Sequence, residues 1–245
     1  MHIKTQGIVL RETNYKEADK ILNVLTPEGK ITVSARGARR KGSRISAACQ
    51  LFALSEMELF KYKDRYSLNE AEVKEQFLGL RSDIKKFALA AYFMELAETI
   101  VNEAEESSEI LALILNSLYV LETDIKSETL IKAVFELKVM AIAGFEPRVD
   151  CCAICGDVNP EHPRLSITQG VLCCANCRPA EGVAMPLEMG ALDAIRYVIN
   201  ADNKKLFSFR LSDRGLRLLG NATEAFVQVQ LERSFKTLDF YKNLN

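Results

Sequence analysis

The pattern of apolar and polar residues changes near residue 80. Before that point, short runs rich in β-branched and aromatic residues predict strands. These runs are Ile3–Thr13, Lys20–Thr26, Lys30–Arg36, Phe52–Lys61 and Tyr66–Lys74. In the third run, Ile31, Val33 and Ala35 alternate with polar residues, which predicts one buried and one solvated face. Five short antiparallel strands predict a small closed barrel, and the OB-fold has that strand count, although the spacing leaves an SH3-like barrel open.

After residue 80, apolar residues recur with a helical period. Ser82, Ser108 and Ser127 each precede an apolar run and predict the start of a helix. The third of these helices is expected to end at Gly144, with Pro147 just beyond. Helical pattern returns at residues 187–199 and 212–238. These helices are apolar over more than one face, so we expect them to pack as a bundle.

The composition is that of an ordinary globular protein. Apolar residues make up 48% of the 245 positions and charged residues 27%, which excludes intrinsic disorder. No apolar run reaches the ~18 residues that a membrane-spanning helix needs. The first residues lack the apolar core of a secretory signal, so we expect a cytoplasmic protein in which thiols stay reduced.

Six of the seven cysteines lie within residues 151–177. Cys152 and Cys155 form one C-x-x-C pair, Cys174 and Cys177 form a second, and 18 residues separate the two pairs. This spacing is typical of a zinc ribbon, in which four thiolates bind one tetrahedral ion. A closed four-thiolate site leaves no position for water, which predicts a structural Zn²⁺ ion. A redox C-x-x-C is the weaker alternative, because neither pair opens a helix in a βαβ unit.

The choice of ligands has one ambiguity. Cys151 and Cys173 each lie beside a predicted ligand, and each is an alternative at a spacing of three intervening residues. We favour Cys152 and Cys174, because two intervening residues are the usual spacing. His162 is interpreted as a loop residue, since four cysteines already complete the ligand shell.

These patterns predict a multidomain α+β protein. We expect residues 1–80 to form a barrel domain with the strand count of an OB-fold, and residues 81–147 together with 179–245 to form a helical bundle domain. Residues 148–178 form a zinc-ribbon-like module inserted in that bundle.

The charge of the chain is unevenly distributed, although its net value is −1. Between Gly29 and Ser55 there are six cations and no acidic residue. The cations are Lys30, Arg36, Arg39, Arg40, Lys41 and Arg44. Gly37 and Gly42 interrupt regular structure there, so an exposed basic connection is predicted, suited to the phosphates of a nucleic acid. The alternative is a solvated loop with incidental charge.

Two further features affect this interpretation. Tyr15, Phe52, Phe60, Tyr62 and Tyr66 are candidate stacking residues, although packing in the core or at its rim is the simpler role for each. Residues 95–109 contain six glutamates and no cation, which predicts a solvated helix face.

Motifs of catalysis are missing from the sequence. There is no phosphate-binding G-x-x-x-x-G-K-[ST] loop, no G-x-S-x-G nucleophile elbow and no H-E-x-x-H helix. Neither His2 nor His162 has an evident nucleophile or carboxylate partner. A non-enzymatic protein is therefore predicted.

Several of these segments resemble the bacterial recombination mediator family RecO. The resemblance rests on Gly7–Arg11, Tyr15–Leu22, Leu25–Lys30, Ala35–Lys41 and the C-x-x-C-G at residues 152–156. The order of barrel, helices, cysteine pairs and closing helices is also similar. The resemblance implies an OB-fold, binding to single- and double-stranded DNA, annealing of complementary strands, and a location at the bacterial nucleoid. It further implies RecR and the acidic tail of single-stranded-DNA-binding protein as partners, with loading of RecA recombinase as the outcome.

Two other functional hypotheses stay open. One is a zinc-stabilised nuclease or other nucleic-acid enzyme that uses scattered carboxylates. The other is a protein-interaction scaffold, in which the basic loop grips an acidic peptide tail instead of DNA.

Overall fold

The computed structural model describes residues 1–177 and 182–244. The described chain forms two compact units. The first contains Met1–Glu122 and the C-terminal segment from Phe235, and the second contains the described residues between Thr123 and Ser234. The boundaries proposed for three domains stay a prediction, and the one between residues 178 and 179 lies outside the described residues.

A closed five-stranded barrel forms the core of the first unit, as the strand pattern predicted. Its strands are β1 (His2–Tyr15), β2 (Asp19–Thr26), β3 (Gly29–Ala35), β4 (Leu54–Tyr62) and β5 (Arg65–Glu75). Their order around the barrel is β1-β2-β3-β5-β4, which is the OB-fold arrangement. All pairings are antiparallel except that of β3 with β5, which is parallel and therefore differs from the prediction.

The first strand belongs to both halves of the barrel. Its N-terminal half pairs with β4, from His2 opposite Phe60, and its C-terminal half pairs with β2, to Tyr15 opposite Asp19. At the point of change a side chain on Gly7 would lie 2.5 Å from the side chain of Val24, so only glycine fits. Inward-facing side chains fill the barrel, among them Val9, Leu22, Val24, Val33, Met57 and Leu59.

Six α-helices follow the barrel within the described residues. They are α1 (Ile84–Ile100), α2 (Ser108–Glu122), α3 (Glu128–Ile142), α4 (Met189–Asn200), α5 (Asp213–Gln230) and α6 (Lys236–Lys242). Ser127 caps α3 as predicted, whereas α1 is capped by the carboxylate of Asp83 and not by Ser82. The pattern at residues 212–238 forms two helices and not one, because the helix ends after Gln230 and resumes at Lys236. None of these helices is long and apolar enough to span a membrane.

The last helix returns to the first unit. The backbone N–H of Thr237, at the start of α6, donates to the Glu95 carboxylate on α1 over 3.2 Å, and the rings of Tyr92 and Phe235 meet edge to face at 5.5 Å. Glu98, also on α1, pairs with Arg11 of the barrel at 2.8 Å. The glutamates at residues 95 and 98 therefore connect elements, and the prediction of a wholly solvated acidic face is wrong for these two.

The second unit contains α3, α4, α5 and the cysteine segment (residues 149–177). Three short strands, β6 (Arg164–Ser166), β7 (Val171–Cys173) and β8 (Ala184–Pro186), form a sheet in the order β7-β6-β8. Helix α3 is buried on several sides and carries a buried ion cluster, in which Lys132 binds Glu136 at 3.0 Å and Glu224 at 2.9 Å. Thr223 donates a hydrogen bond to Glu136.

Candidate nucleic-acid interface and candidate metal centre

The predicted basic residues lie on the connection between β3 and β4, which we call the basic loop (residues 36–44). Its five cations, Arg36, Arg39, Arg40, Lys41 and Arg44, are all exposed. Within the described residues, none of them forms an ion pair with a carboxylate. The loop thus presents its positive charge to solvent.

Hydrogen bonds to the β1–β2 turn hold the backbone of the basic loop in place. The N–H of Gly37 donates to the Asp19 carboxylate at 2.8 Å, and the N–H of Arg39 donates to the carbonyl of Ala18 at 2.9 Å. Gly37 has a φ of +68°, a left-handed conformation that favours glycine. Ala38 is buried in the barrel core, and the loop therefore has a fixed base under its exposed cations.

Lys30 differs from the other five predicted cations. It is half-buried, and its ammonium group donates to the carbonyl of Glu98 at 2.7 Å. Its charge therefore already has a partner inside the first unit, and its role in binding phosphate stays a prediction.

A hairpin turn contacts the basic loop. The β1–β2 turn touches the loop through Arg39, whose guanidinium donates to the carbonyl of Lys16 at 3.4 Å. The β4–β5 turn lies in the other direction along β3. Because β3 and β5 are parallel and Tyr66 is opposite Val33, the turn that precedes β5 is near the start of β3.

The candidate stacking residues separate into two groups. Tyr15 and Tyr62, at the two turns, are 48% and 64% exposed, and Phe60 is 40% exposed. Tyr66 is half-buried against the barrel core. Phe52 is fully buried and packs against Phe87 with ring centres 5.3 Å apart, so it belongs to the core.

The four predicted metal ligands converge in the second unit. The sulfur atoms of Cys152, Cys155, Cys174 and Cys177 all lie within 4.8 Å of one another. Neither Cys151 nor Cys173 belongs to this group. The remaining cysteine, Cys49, is in the barrel core, where burial raises the pKa of its thiol to about 11.

The spacing of the sulfur atoms fits a tetrahedral ion. The sulfurs of Cys155 and Cys174 are 3.9 Å apart. A metal–sulfur bond of about 2.3 Å in tetrahedral geometry places neighbouring sulfurs about 3.8 Å apart. This cluster is therefore able to bind a metal ion, and its donor set of four thiols suits a soft or borderline ion.

Backbone N–H groups stabilise the thiolate form of one cysteine in the cluster. Burial by itself raises the pKa of Cys152, but hydrogen bonds from the N–H groups of Cys155, Ile154 and Cys174 outweigh it and lower that pKa to about 6. Hydrogen bonding with Cys174 and Cys155 raises the pKa of Cys177. Gly156 follows the first pair at a φ of +77°, a left-handed conformation that favours glycine.

One arginine connects the segment around the first cysteine pair to helix α4 through hydrogen bonds. Arg196 on α4 donates to the carbonyls of Val149 and Asp150, each at 2.9 Å, and to that of Val158 at 2.7 Å. These carbonyls lie on both sides of the pair, so the guanidinium closes the turn that contains Cys152 and Cys155. Sequence reasoning missed Arg196, because nothing local in the sequence indicates contacts with residues about 40 positions away.

Comparison with known proteins covers nearly the whole chain. Residues 1–77 match the family model "Recombination protein O N terminal", and residues 81–239 match "Recombination protein O C terminal". The chain is 34% identical to the DNA repair protein RecO of Acetivibrio thermocellus, over 100% of this chain and 98% of that protein. It is 31% identical to that of Alkaliphilus metalliredigens over 100% of both chains. For that of Symbiobacterium thermophilum the identity is 33%, over 97% of this chain and 96% of the relative.

Proposed function

The chain belongs to the RecO family of DNA repair proteins, and from this premise we propose that it is a DNA-binding recombination mediator without catalytic activity. The observation that carries the proposal is the basic loop, with five exposed cations that have no carboxylate partner within the described residues. Such cations bind phosphates and do not read the base sequence. The protein therefore binds both single- and double-stranded DNA.

The same surface accounts for annealing. Two complementary strands repel each other, and a dense patch of arginine and lysine lowers that repulsion when both strands are bound. Their local concentration rises, and base pairing follows without any bond being made or broken by the protein. Arginine suits this task because its guanidinium contacts phosphate through two parallel hydrogen bonds.

The four-cysteine cluster has a structural role in this proposal. We assign Zn²⁺ to it, held by Cys152, Cys155, Cys174 and Cys177. When bound, the ion cross-links two turns that are far apart in the sequence, and with four sulfur ligands it has no position open for a substrate.

The proposed partners extend the function beyond DNA. With RecR the protein loads RecA recombinase onto DNA covered by single-stranded-DNA-binding protein, at the nucleoid in the bacterial cytoplasm. A cavity of about 250 Å³ in the second unit supports contact with the acidic tail of the latter protein. Apolar side chains such as Leu130 line the cavity together with the cations Lys126 and Arg210, and this mixed lining suits a peptide that is both acidic and apolar.

The central test is a titration of fluorescent single-stranded and duplex DNA at several salt concentrations. The double variant Arg39→Glu with Arg40→Glu is expected to weaken both complexes. Its plot of log affinity against log salt is expected to be flatter, by about 0.7 to 0.9 for each phosphate that the protein no longer neutralises. The matched control is Lys204→Glu with Lys205→Glu, which makes the same change of net charge at exposed positions in the second unit. An unchanged affinity and slope in the loop variant contradict the proposal.

The same reagents separate the two alternatives. Labelled single-stranded DNA incubated with Mg²⁺ is expected to stay intact; cleavage favours a nuclease. An acidic peptide is expected to bind without displacing the oligonucleotide, because the two sites are built from different residues. Displacement favours a scaffold in which the basic loop grips the peptide.

A further inference from the structure

The four cysteines of the metal cluster differ in their exposure to solvent. Cys155 is exposed and Cys177 is half-buried, whereas Cys152 and Cys174 are buried. The sulfur of Cys152 also accepts a hydrogen bond from the backbone N–H of Cys174 over 3.4 Å. A dissolved oxidant therefore reaches the sulfur of Cys155 more readily than the two buried sulfurs.

A second cysteine is placed to react with an oxidised Cys155. The sulfur of Cys174, which belongs to the other C-x-x-C pair, lies 3.9 Å away. A disulfide needs about 2.05 Å between its sulfurs, so the two atoms have to approach by about 2 Å. The turn that carries Cys155 has room for this movement, because residues 153–157 are all exposed. An accessible thiolate beside a second, resolving thiol is the arrangement typical of redox-sensitive cysteines.

We propose that the cysteine cluster is a peroxide-sensitive switch, in which Cys155 is the residue that is oxidised and Cys174 the residue that resolves it. The oxidant is a hydroperoxide, of which hydrogen peroxide is the simplest. The inference rests on the proposed function, because the assigned Zn²⁺ keeps the sulfurs of the cluster deprotonated. The cluster then has a reduced state that binds metal and an oxidised state that does not.

The oxidation takes place in two balanced steps. The Cys155 thiolate attacks one oxygen of the peroxide, the O–O bond breaks, and a sulfenic acid and hydroxide are formed. The Cys174 thiolate then attacks the oxidised sulfur, the S–O bond breaks, and a second hydroxide leaves as the S–S bond forms. The two thiolates together lose two electrons, and the peroxide accepts both. Only Cys152 and Cys177 remain as ligands, so the ion is released to solvent.

The disulfide joins the same two turns that the bound ion joins. The cross-link between the two C-x-x-C pairs is therefore kept, whereas a disulfide within one pair leaves the pairs unconnected. A thiol reductant cleaves the disulfide and returns the cysteine segment to its metal-binding state. This reversibility distinguishes a switch from oxidative damage, in which sulfinic and sulfonic acids accumulate.

The test treats the purified, zinc-loaded full chain with hydrogen peroxide. Zinc release is followed with a colorimetric chelator, and the disulfides are identified by mass spectrometry of non-reduced peptides. We expect one zinc ion to be released for each disulfide formed, and the disulfide to join Cys155 and Cys174. The peptide that contains Cys49, which is buried in the barrel core, is expected to stay reduced. Dithiothreitol with added Zn²⁺ is expected to restore the metal.

Two substitutions that keep four metal ligands provide matched variants. Cys155→His and Cys177→His each replace the second cysteine of a pair, and three cysteines with one histidine are a common zinc ligand set. We expect Cys155→His to lose both the rapid zinc release and the disulfide, since the exposed thiolate is gone. Cys177→His is expected to retain both, because Cys155 and Cys174 are still present.

The opposite outcomes are distinct. Zinc retained by the unmodified protein under peroxide overturns the inference, as does a disulfide within one pair or sulfinic acid without a disulfide. Equal rates of zinc release from the two histidine variants contradict the role of Cys155. If neither variant binds zinc, the peptide map of the unmodified protein decides by itself. A protein that contains no zinc before treatment contradicts the metal assignment of the proposed function. If zinc is bound and peroxide yields no disulfide between Cys155 and Cys174, only the redox inference fails.

Discussion

The basic loop and the cysteine segment (residues 149–177) differ in where their polar side chains lie. Those of the loop are exposed to solvent, and those of the cysteine segment converge on one another. In the basic loop, contacts to the β1–β2 turn fix the backbone, while five charged side chains point to solvent without a carboxylate partner among the described residues. In the cysteine segment, four thiols converge within 4.8 Å, and Arg196 binds the surrounding carbonyls. In the proposed function, the basic loop binds DNA and the cysteine segment holds a metal ion.

This difference predicts opposite responses to substitution. Removing an exposed loop cation deletes an interaction with DNA and leaves the folded protein nearly as stable, since its internal contacts stay in place. Removing a group of the cysteine segment deletes an internal contact, so stability and metal content change while phosphate binding does not. A variant in one region that changes both DNA binding and metal content contradicts this independence of the two regions.

The largest effect is expected for Cys152→Ser. A structural zinc site contributes about 10 to 16 kcal/mol of binding free energy, and the loss of one thiolate removes most of it. We expect the zinc-to-protein ratio, measured by elemental mass spectrometry after purification without chelator, to fall to near zero. Limited proteolysis is expected to cut the cysteine segment faster. The salt slope of DNA binding is expected to stay as it is.

A neighbouring residue provides the control. Cys151→Ser changes the adjacent thiol, which lies outside the sulfur cluster, and is expected to retain the metal. Metal retained in Cys152→Ser but absent from Cys151→Ser shows that the ligand choice is wrong. Loss of DNA binding together with the metal shows that the two regions are not independent.

A smaller effect is expected for Arg196→Ala. Its guanidinium makes three hydrogen bonds to carbonyls around the first cysteine pair, and a hydrogen bond to a charged group contributes about 1.5 to 3 kcal/mol. Bound zinc is expected to remain near stoichiometric but to transfer faster to a competing chelator, and the unfolding midpoint in urea is expected to fall. The matched control is Arg164→Ala, which removes an arginine with one such bond, to Ala184. Equal release rates in the two variants contradict the role given to Arg196.

The sequence predicted those features that depend on local patterns. Short runs rich in β-branched and aromatic residues indicated all five barrel strands to within two residues, and the paired C-x-x-C spacing indicated the four sulfurs that converge. The run of cations without an acidic residue indicated the exposed loop. Each of these features has a local cause in the sequence. The causes are the pleat of a strand, the ligand spacing that a metal ion requires, and the density of charge.

Features that depend on distant contacts could not be predicted in this way. Glu95 and Glu98 belonged to an acidic run, yet they bind Thr237 and Arg11, which are far away in the sequence. Phe52 was a candidate stacking residue by type, and only its packing against Phe87 shows that it is buried. Ser82 was a good N-cap by residue type, but the neighbouring Asp83 accepts the helix N–H groups instead.

The smallest effect is expected when two cations of the same basic run are compared. Lys30 and Arg40 come from the same basic run, but Lys30 donates to the carbonyl of Glu98 and Arg40 is exposed. We expect Arg40→Gln to reduce the salt slope by about 0.7 to 0.9 and to change stability by less than about 0.5 kcal/mol. Lys30→Gln is expected to show the reverse, a loss of about 1.5 kcal/mol of stability in urea unfolding and little change of slope. A slope reduced equally by both substitutions contradicts this distinction. It shows that Lys30 also neutralises a phosphate, which its ammonium group can do through a second of its three N–H donors.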